Sequence, residues 1–451
     1  MAVSTIRVAA ARVSPGEWTR RCGRDRGARP TRRPLPAPPR TRASQSSPPA
    51  SGENLPADAA SPEDAFAPDP ALAASIDAVT RACDLLLDLG SSCRAHAKPD
   101  DTPVTVADLA CQALVTQALR QSLGDDVVVI GEEDDAVCIA DAATSEAVVE
   151  AVARHGGDGA TAVEALARRV CVDDESLDAL DMRRDAAEST RRRGGKSPVG
   201  SVPARPRYFV LDPIDGTKAF IRGVDDPASP QCAVGLARVD PANGAPDLGV
   251  LGLPFWRGPP LAPGDGVGVV VAASAGKGCW YKPLFSGEPG GSGWRRARTS
   301  TVADVSAATV VTSEGERLEN LPIGAALASK TFGGASQTPR EVRMGCGSLC
   351  KYAAVALDVA QVFVQHPPLD YALKGKRSMV WDHAAGIVCA AEAGATVTDL
   401  RGGAVRLGDG EREVRAFEPG GGGILVAAAG IHARCLELYT WGASAGKLGK
   451  S

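Results

Sequence analysis

The chain has 451 residues, 44% of them apolar and only 4% aromatic, enough to bury aliphatic cores in two or three domain-sized units. No apolar run approaches the roughly 18 residues of a spanning helix, so a soluble protein with no membrane partner is expected. The net charge of -4 hides an asymmetry, because residues 1–52 carry eleven arginines against two acids, Glu17 and Asp25, and the remainder is acidic.

That Arg-, Ala-, Ser- and Pro-rich start has the composition of an organellar transit peptide, with mitochondrion and chloroplast both open; a basic tail in a cytoplasmic protein is the alternative. A Pro-, Ser- and Ala-rich linker follows over 53–70, and folded structure is expected from about Ala71 to 445. Leu72, Ile76, Val79, Cys83 and Leu86 step by four and three along a helix that stops at Gly90. A second helix is expected from Thr105 to Leu123, then a strand at Asp126–Ile130 that delivers Glu132.

Tyr208–Leu211 reads as the strand that delivers Asp212. Between these two strands, helices are expected near Ala147–Ala153 and Ala162–Arg169, and an exposed loop at Ser189–Lys196; the 137–203 insertion has no assigned role. Further strands are expected at Ala233–Val239, Leu248–Leu253, Val267–Ala273, Gln361–Val364 and Thr396–Thr398, with helices at Leu349–Val359 and Asp382–Ala393. Mixed strands and helices of this kind build a layered α/β or α+β unit. The twelve cysteines contain no Cys-x-x-Cys pair, so zinc spacing is absent and reduced, buried thiols are expected; a regulatory disulfide stays open.

In Asp212-Pro213-Ile214-Asp215-Gly216-Thr217 the proline stiffens a turn that holds two carboxylates three residues apart, and the Ile214 carbonyl lies between them. Oxygen ligands of this kind make half a Mg²⁺ site. The N–H groups of Gly216 and Thr217 follow at a helix start, where a phosphate would bind. Each acid also has a structural alternative. Asp212-Pro213-Ile214-Asp215 is a common turn, Glu132 a strand-end charge, Asp382 an N-cap, and Asp108 half of a capping box with Thr105.

Taken together, Thr102–Asp108, Ile130–Asp134, Leu211–Phe220 and Trp381–Gly386 resemble the motifs of the lithium-sensitive inositol monophosphatase-like phosphatases. The long spacing from Glu132 to Asp212, Lys218 after Gly-Thr, and Gly347–Tyr352 look like the 3'(2'),5'-bisphosphate nucleotidase branch. The resemblance implies a layered αβαβα sandwich of two closely packed subdomains, roughly 71–255 and 256–445. It implies two or three Mg²⁺ ions held by Glu132, Asp212, the Ile214 carbonyl, Asp215 and Asp382, with Asp108 and Thr217 activating a water. Ser348 and Lys351 would hold the nucleotide.

The implied substrate is a small phosphorylated nucleotide, adenosine 3',5'-bisphosphate, and not a nucleic-acid polymer. Two positions depart from that branch, which commonly has an acid at Gly347 and an arginine at Gln365. Lys374, Lys376 and Arg377 are the candidate replacements for the lost guanidinium. An inositol or sugar phosphate as substrate, or an inactive metal- or nucleotide-binding regulator, are the competing readings.

Overall fold

The computed structural model describes residues 66–90, 95–97, 103–133, 135–167, 207–222, 231–262, 265–285, 293–329, 339–366, 378–407, 416–417 and 423–448. The leader, most of the linker, the Ser189–Lys196 loop, and Lys374, Lys376 and Arg377 lie outside the described residues.

In chain order, helix Pro70–Leu89 (α1) is followed by short strands Ala95–Ala97 (β1) and Pro103–Thr105 (β2), helix Val106–Leu123 (α2) and strand Val129–Gly131 (β3). Three helices come next, Ala136–Ala140 (α3), Ala142–Arg154 (α4) and Gly159–Ala167 (α5). Strand Tyr208–Asp215 (β4) and helix Thr217–Arg222 (α6) lead to a run of strands: Ala233–Asp240 (β5), Ala245–Leu253 (β6), Val267–Ser274 (β7), Gly278–Phe285 (β8) and Arg295–Ala297 (β9). Then come Thr309–Ser313 (β10), Pro322–Ala328 (α7), Arg340–Met344 (β11), Ser348–Ala356 (α8) and Val362–Gln365 (β12). The last elements are Ser378–Met379 (β13), Ala384–Glu392 (α9), Ala395–Asp399 (β14), Ala416–Phe417 (β15), Ile424–Ala428 (β16) and His432–Leu448 (α10).

Strands β3 to β9 form one seven-stranded sheet in sequence order, parallel between β3 and β4 and antiparallel thereafter. A five-stranded sheet runs β11-β10-β12-β16-β14, with parallel and antiparallel pairs. Side chains alternate across both sheets with period two. On β7, Val270 and Ala272 join the core beneath α1 and α2, while Val269, Val271 and Ala273 join the core beneath α8 and α9. On β12, Phe363 faces that same middle core, and Val362 and Val364 face the outer one with residues of α7 and α10. Both faces of each sheet are therefore covered, and the layers run helix, sheet, helix, sheet, helix. This is the expected αβαβα sandwich.

Several boundaries differ from those expected, and three of them bear on the organisation of the chain. The folded part starts before Ala71, because Asp69 caps α1 by accepting the Leu72 N–H at 2.9 Å and Phe66 stacks 4.4 Å from Trp294. A division at 255 would fall inside the first sheet, whose meander continues through β7, β8 and β9 to Ala297. Helix α8 ends at Ala356, short of Val359, where the chain turns and Asp358 takes a φ of 59°.

Candidate active site

Residues three apart on a regular strand point to opposite faces. Strand β4 escapes that rule because Asp212 pairs with Gly235 while Asp215 pairs with Ala233, three residues set against two. The extra residue is a β-bulge at Pro213 and Ile214, and it turns both carboxylates toward one cavity. Gly216 follows with a φ of 93°, which strains any other residue, and passes so close to the Gln231 carbonyl and the Gly347 nitrogen that a side chain would also be crowded.

The two acids are held differently. Asp212 Oδ1 accepts the Ile214 N–H at 3.1 Å, while its Oδ2 is buried without a hydrogen-bond partner. Asp215 sits at the start of α8, where Oδ1 accepts the Ser348 N–H at 3.1 Å and Oδ2 the Leu349 N–H at 2.5 Å. Burial, opposed by those N–H groups and the Lys351 ammonium, leaves the Asp215 pKa at about 6. Burial and then the charges of Glu132, Asp215 and Asp382 raise that of Asp212 well above the carboxylate range. Asp382 is raised by burial and by Asp215 and Glu132.

Asp382 comes from a different part of the chain, on the turn before α9. His383, not Asp382, occupies the N-cap position, which leaves the Asp382 carboxylate to the cavity. One oxygen each from Asp212, Asp215 and Asp382 lie within 4.8 Å of one another. Glu132 lines the same cavity of about 380 Å³ just past the end of β3, as do Ile214, Gly216 and Thr217. Its segment is clamped by Gln112, whose side-chain amide donates to the Glu133 carbonyl at 2.8 Å and accepts the Glu133 N–H at 3.0 Å.

Asp108 is fully buried and does form a capping box with Thr105, accepting its N–H at 2.7 Å and its hydroxyl at 2.6 Å through Oδ2. Its other oxygen lies 3.3 Å from the Thr217 hydroxyl, which is also 3.0 Å from the Ile214 carbonyl. The structural role and the contact to Thr217 therefore coexist in one side chain.

Ser348 and Lys351 are not among the residues that line this cavity. The Ser348 hydroxyl donates to Gln365 Oε1 at 3.0 Å, and the buried Lys351 ammonium donates to Ser313 Oγ at 2.9 Å beside the Phe363 ring. Next to Lys351, the Tyr352 hydroxyl lies 3.0 Å from His383 Nδ1, and burial followed by the Lys351 charge drops the His383 pKa to about 3. Sequence reasoning missed Gln112, Ser313, Arg222 and Glu314; only the place of Arg222 one turn after Lys218 hinted at any of them.

A divalent cation fits these residues. The buried, unpartnered Asp212 Oδ2 needs a positive partner, the converging donors are all oxygens, and the burial and then mutual repulsion that raise these acids are both offset by a cation.

Residues 139–437 match the model of the inositol monophosphatase family. An Arabidopsis thaliana protein provisionally named a mitochondrial 3'(2'),5'-bisphosphate nucleotidase is 32% identical over 82% of this chain and 86% of its own length. The A. thaliana 3',5'-bisphosphate nucleotidase AHL is 32% identical over 70% of this chain and 80% of its own. Among solved structures, the Thermotoga maritima IMPase has 18% identity and a TM-score of 0.47, covering 83% of this chain and 98% of that one. With two thirds of its length matched by the family model, and Glu132, Asp212, Asp215 and Asp382 gathered at one cavity, the chain belongs to the inositol monophosphatase family.

Proposed function

We propose that this metal-dependent phosphatase is a 3'(2'),5'-bisphosphate nucleotidase that hydrolyses the 3'-phosphate of adenosine 3',5'-bisphosphate. The convergence of Asp212, Asp215 and Asp382, with one buried oxygen left unpartnered, carries the reading. The names of its relatives support the nucleotide substrate.

Glu132, Asp212, Asp215, Asp382 and the Ile214 carbonyl would hold two or three Mg²⁺ ions. Bound there, Mg²⁺ supplies charge neutralisation for the phosphoryl oxygens and acidity to water. The protein's own groups do the positioning. Gly216 and Thr217 line the cavity, and their N–H groups would bind the phosphoryl oxygens there. Thr217 Oγ1 donates toward Asp108 or the Ile214 carbonyl and so keeps a lone pair for a water hydrogen. Asp108 Oδ1 then takes the proton through Thr217, its other oxygen being committed to Thr105. Phosphate release from adenosine 3',5'-bisphosphate with and without Mg²⁺, beside inositol 1-phosphate, tests the reading. Preference for inositol 1-phosphate would reject the nucleotidase.

The Arg-rich residues 1–52 are proposed to direct import into an organelle, in keeping with the relative named mitochondrial. A reporter carrying residues 1–60 should become organellar; a diffuse cytosolic signal would leave the basic-tail alternative.

A further inference from the structure

Among the described residues, two cations line the cavity, Lys218 and Arg222. They are four residues apart on α6, so they share one face of that helix. Thr217, which contacts Asp108, opens the same helix, and Arg222 lies about 7.5 Å further along its axis at 1.5 Å per residue. The end of β10 and the turn after it also line the cavity, through Ser313, Glu314 and Gly315. Arg222 Nη1 meets Glu314 Oε2 at 3.3 Å, and Arg222 Nε donates to the Lys218 carbonyl at 3.3 Å.

This ion pair is weakly held. Its side chains are 59% and 66% exposed, and a pair so solvated contributes little net stability. A phosphate is a better partner for the guanidinium than Glu314 is, since it carries more charge and more acceptor oxygens in a geometry that the planar fork matches. Lys351 is already engaged, its ammonium being buried, bound to Ser313 and compensating Asp215 and Asp382.

We infer that Lys218 and Arg222 form the subsite for a second phosphate of the substrate, with Glu314 occupying Arg222 until that phosphate displaces it. The inference rests on the nucleotidase reading and names the residues that separate a bisphosphate from a monophosphate. A substrate with one phosphate leaves the Arg222–Glu314 pair closed. A substrate with two spans α6 from its Thr217 end to Arg222.

The test compares kcat/KM for adenosine 3',5'-bisphosphate with that for adenosine 3'-monophosphate, which has the same leaving group and no second phosphate. Wild type should favour the bisphosphate. Arg222→Gln should lower the ratio of the two by about tenfold or more, chiefly through KM. Glu314→Gln should raise it by roughly two- to fivefold, because the competing carboxylate charge is gone. A wild-type ratio near one sinks both the nucleotidase reading and the subsite. A high wild-type ratio that Arg222→Gln leaves within threefold overturns the subsite alone, and an unchanged ratio in Glu314→Gln overturns the displacement.

Discussion

The Asp215 carboxylate occupies the space where Gly347 would otherwise carry a β-carbon, and a β-carbon built there overlaps its Cγ and both oxygens. The Gly347 φ of -74° is open to any residue, so the requirement is for room and not for backbone freedom. Gly347→Ala should therefore push Asp215 off the Ser348 and Leu349 N–H groups. We expect the Mg²⁺ concentration for half-maximal phosphate release to rise at least about tenfold while the circular dichroism spectrum stays native. An unchanged Mg²⁺ titration would remove Asp215 from the metal site.

Asp212→Asn should abolish Mg²⁺-dependent turnover yet stabilise the metal-free protein. The amide oxygen can keep the Ile214 N–H, and its NH₂ replaces an oxygen that has no donor and faces other carboxylates. Asp215→Asn is the less clean substitution, because both Asp215 oxygens accept N–H groups and an amide can serve only one.

The sign of the pH dependence follows from the raised acids. Asp215 has a folded pKa of about 6 against 3.8 unfolded, so its protonated form is the one the fold favours. That contribution is complete below pH 4 and is lost as the pH rises through 6; Asp212 and Asp382 act in the same direction. Metal-free wild type should thus lose stability relative to Asp212→Asn as the pH rises from 4 to 8, and Mg²⁺ should restore it only in wild type. Melting curves at four pH values, with EDTA and with Mg²⁺, measure both effects. A gap that is independent of pH would mean that charge repulsion is not its cause.

Lys351→Met should reduce kcat/KM for bisphosphate and monophosphate substrates by a similar factor, on the order of tenfold, because the ammonium serves Ser313 and the acid cluster. Steady-state kinetics on the two substrates decide. A loss confined to the bisphosphate would give Lys351 the nucleotide contact that the family resemblance implies.

A chain starting at residue 63 should melt like the full-length protein, and one starting at Ala71 should melt several degrees lower. The shorter one lacks the Asp69 cap, which contributes on the order of 1 kcal/mol, and the Phe66 stack on Trp294, about as much again. Equal melting temperatures would put Ala71 back as the start of the folded unit.

Much of the fold was legible where residues act locally. The four-and-three spacing of α1, the Thr105–Asp108 capping box of α2 and the β-branched runs of β5, β6 and β7 each depend on near neighbours. Strand β8 was hidden because Lys282 and Pro283 interrupt its pattern, and its order comes from pairing with β7. Charged Arg340-Glu-Val-Arg-Met carries little alternating apolar pattern to mark a strand, yet it suits an edge strand that pairs only with β10. At the site, Asp212 and Asp215 announce themselves through the turn between them. Gln112 does not, because the groups it clamps lie 21 residues away, and neither does the Arg222–Glu314 pair, 92 residues apart.

The N–H groups that hold Asp215 come from 133 and 134 residues further along the chain. During synthesis, β4 leaves the ribosome long before α8 exists, and Asp382 follows later still, so Asp212 and Asp215 emerge with nothing to orient them and weak affinity for a cation. Helix α8 closes the arrangement twice, at its tip through Ser348 and Leu349 and one turn on through Tyr352 to His383 beside Asp382. Tight metal capture is thereby a late event in folding, and an incomplete chain gains neither the ion nor the means to hydrolyse phosphate esters.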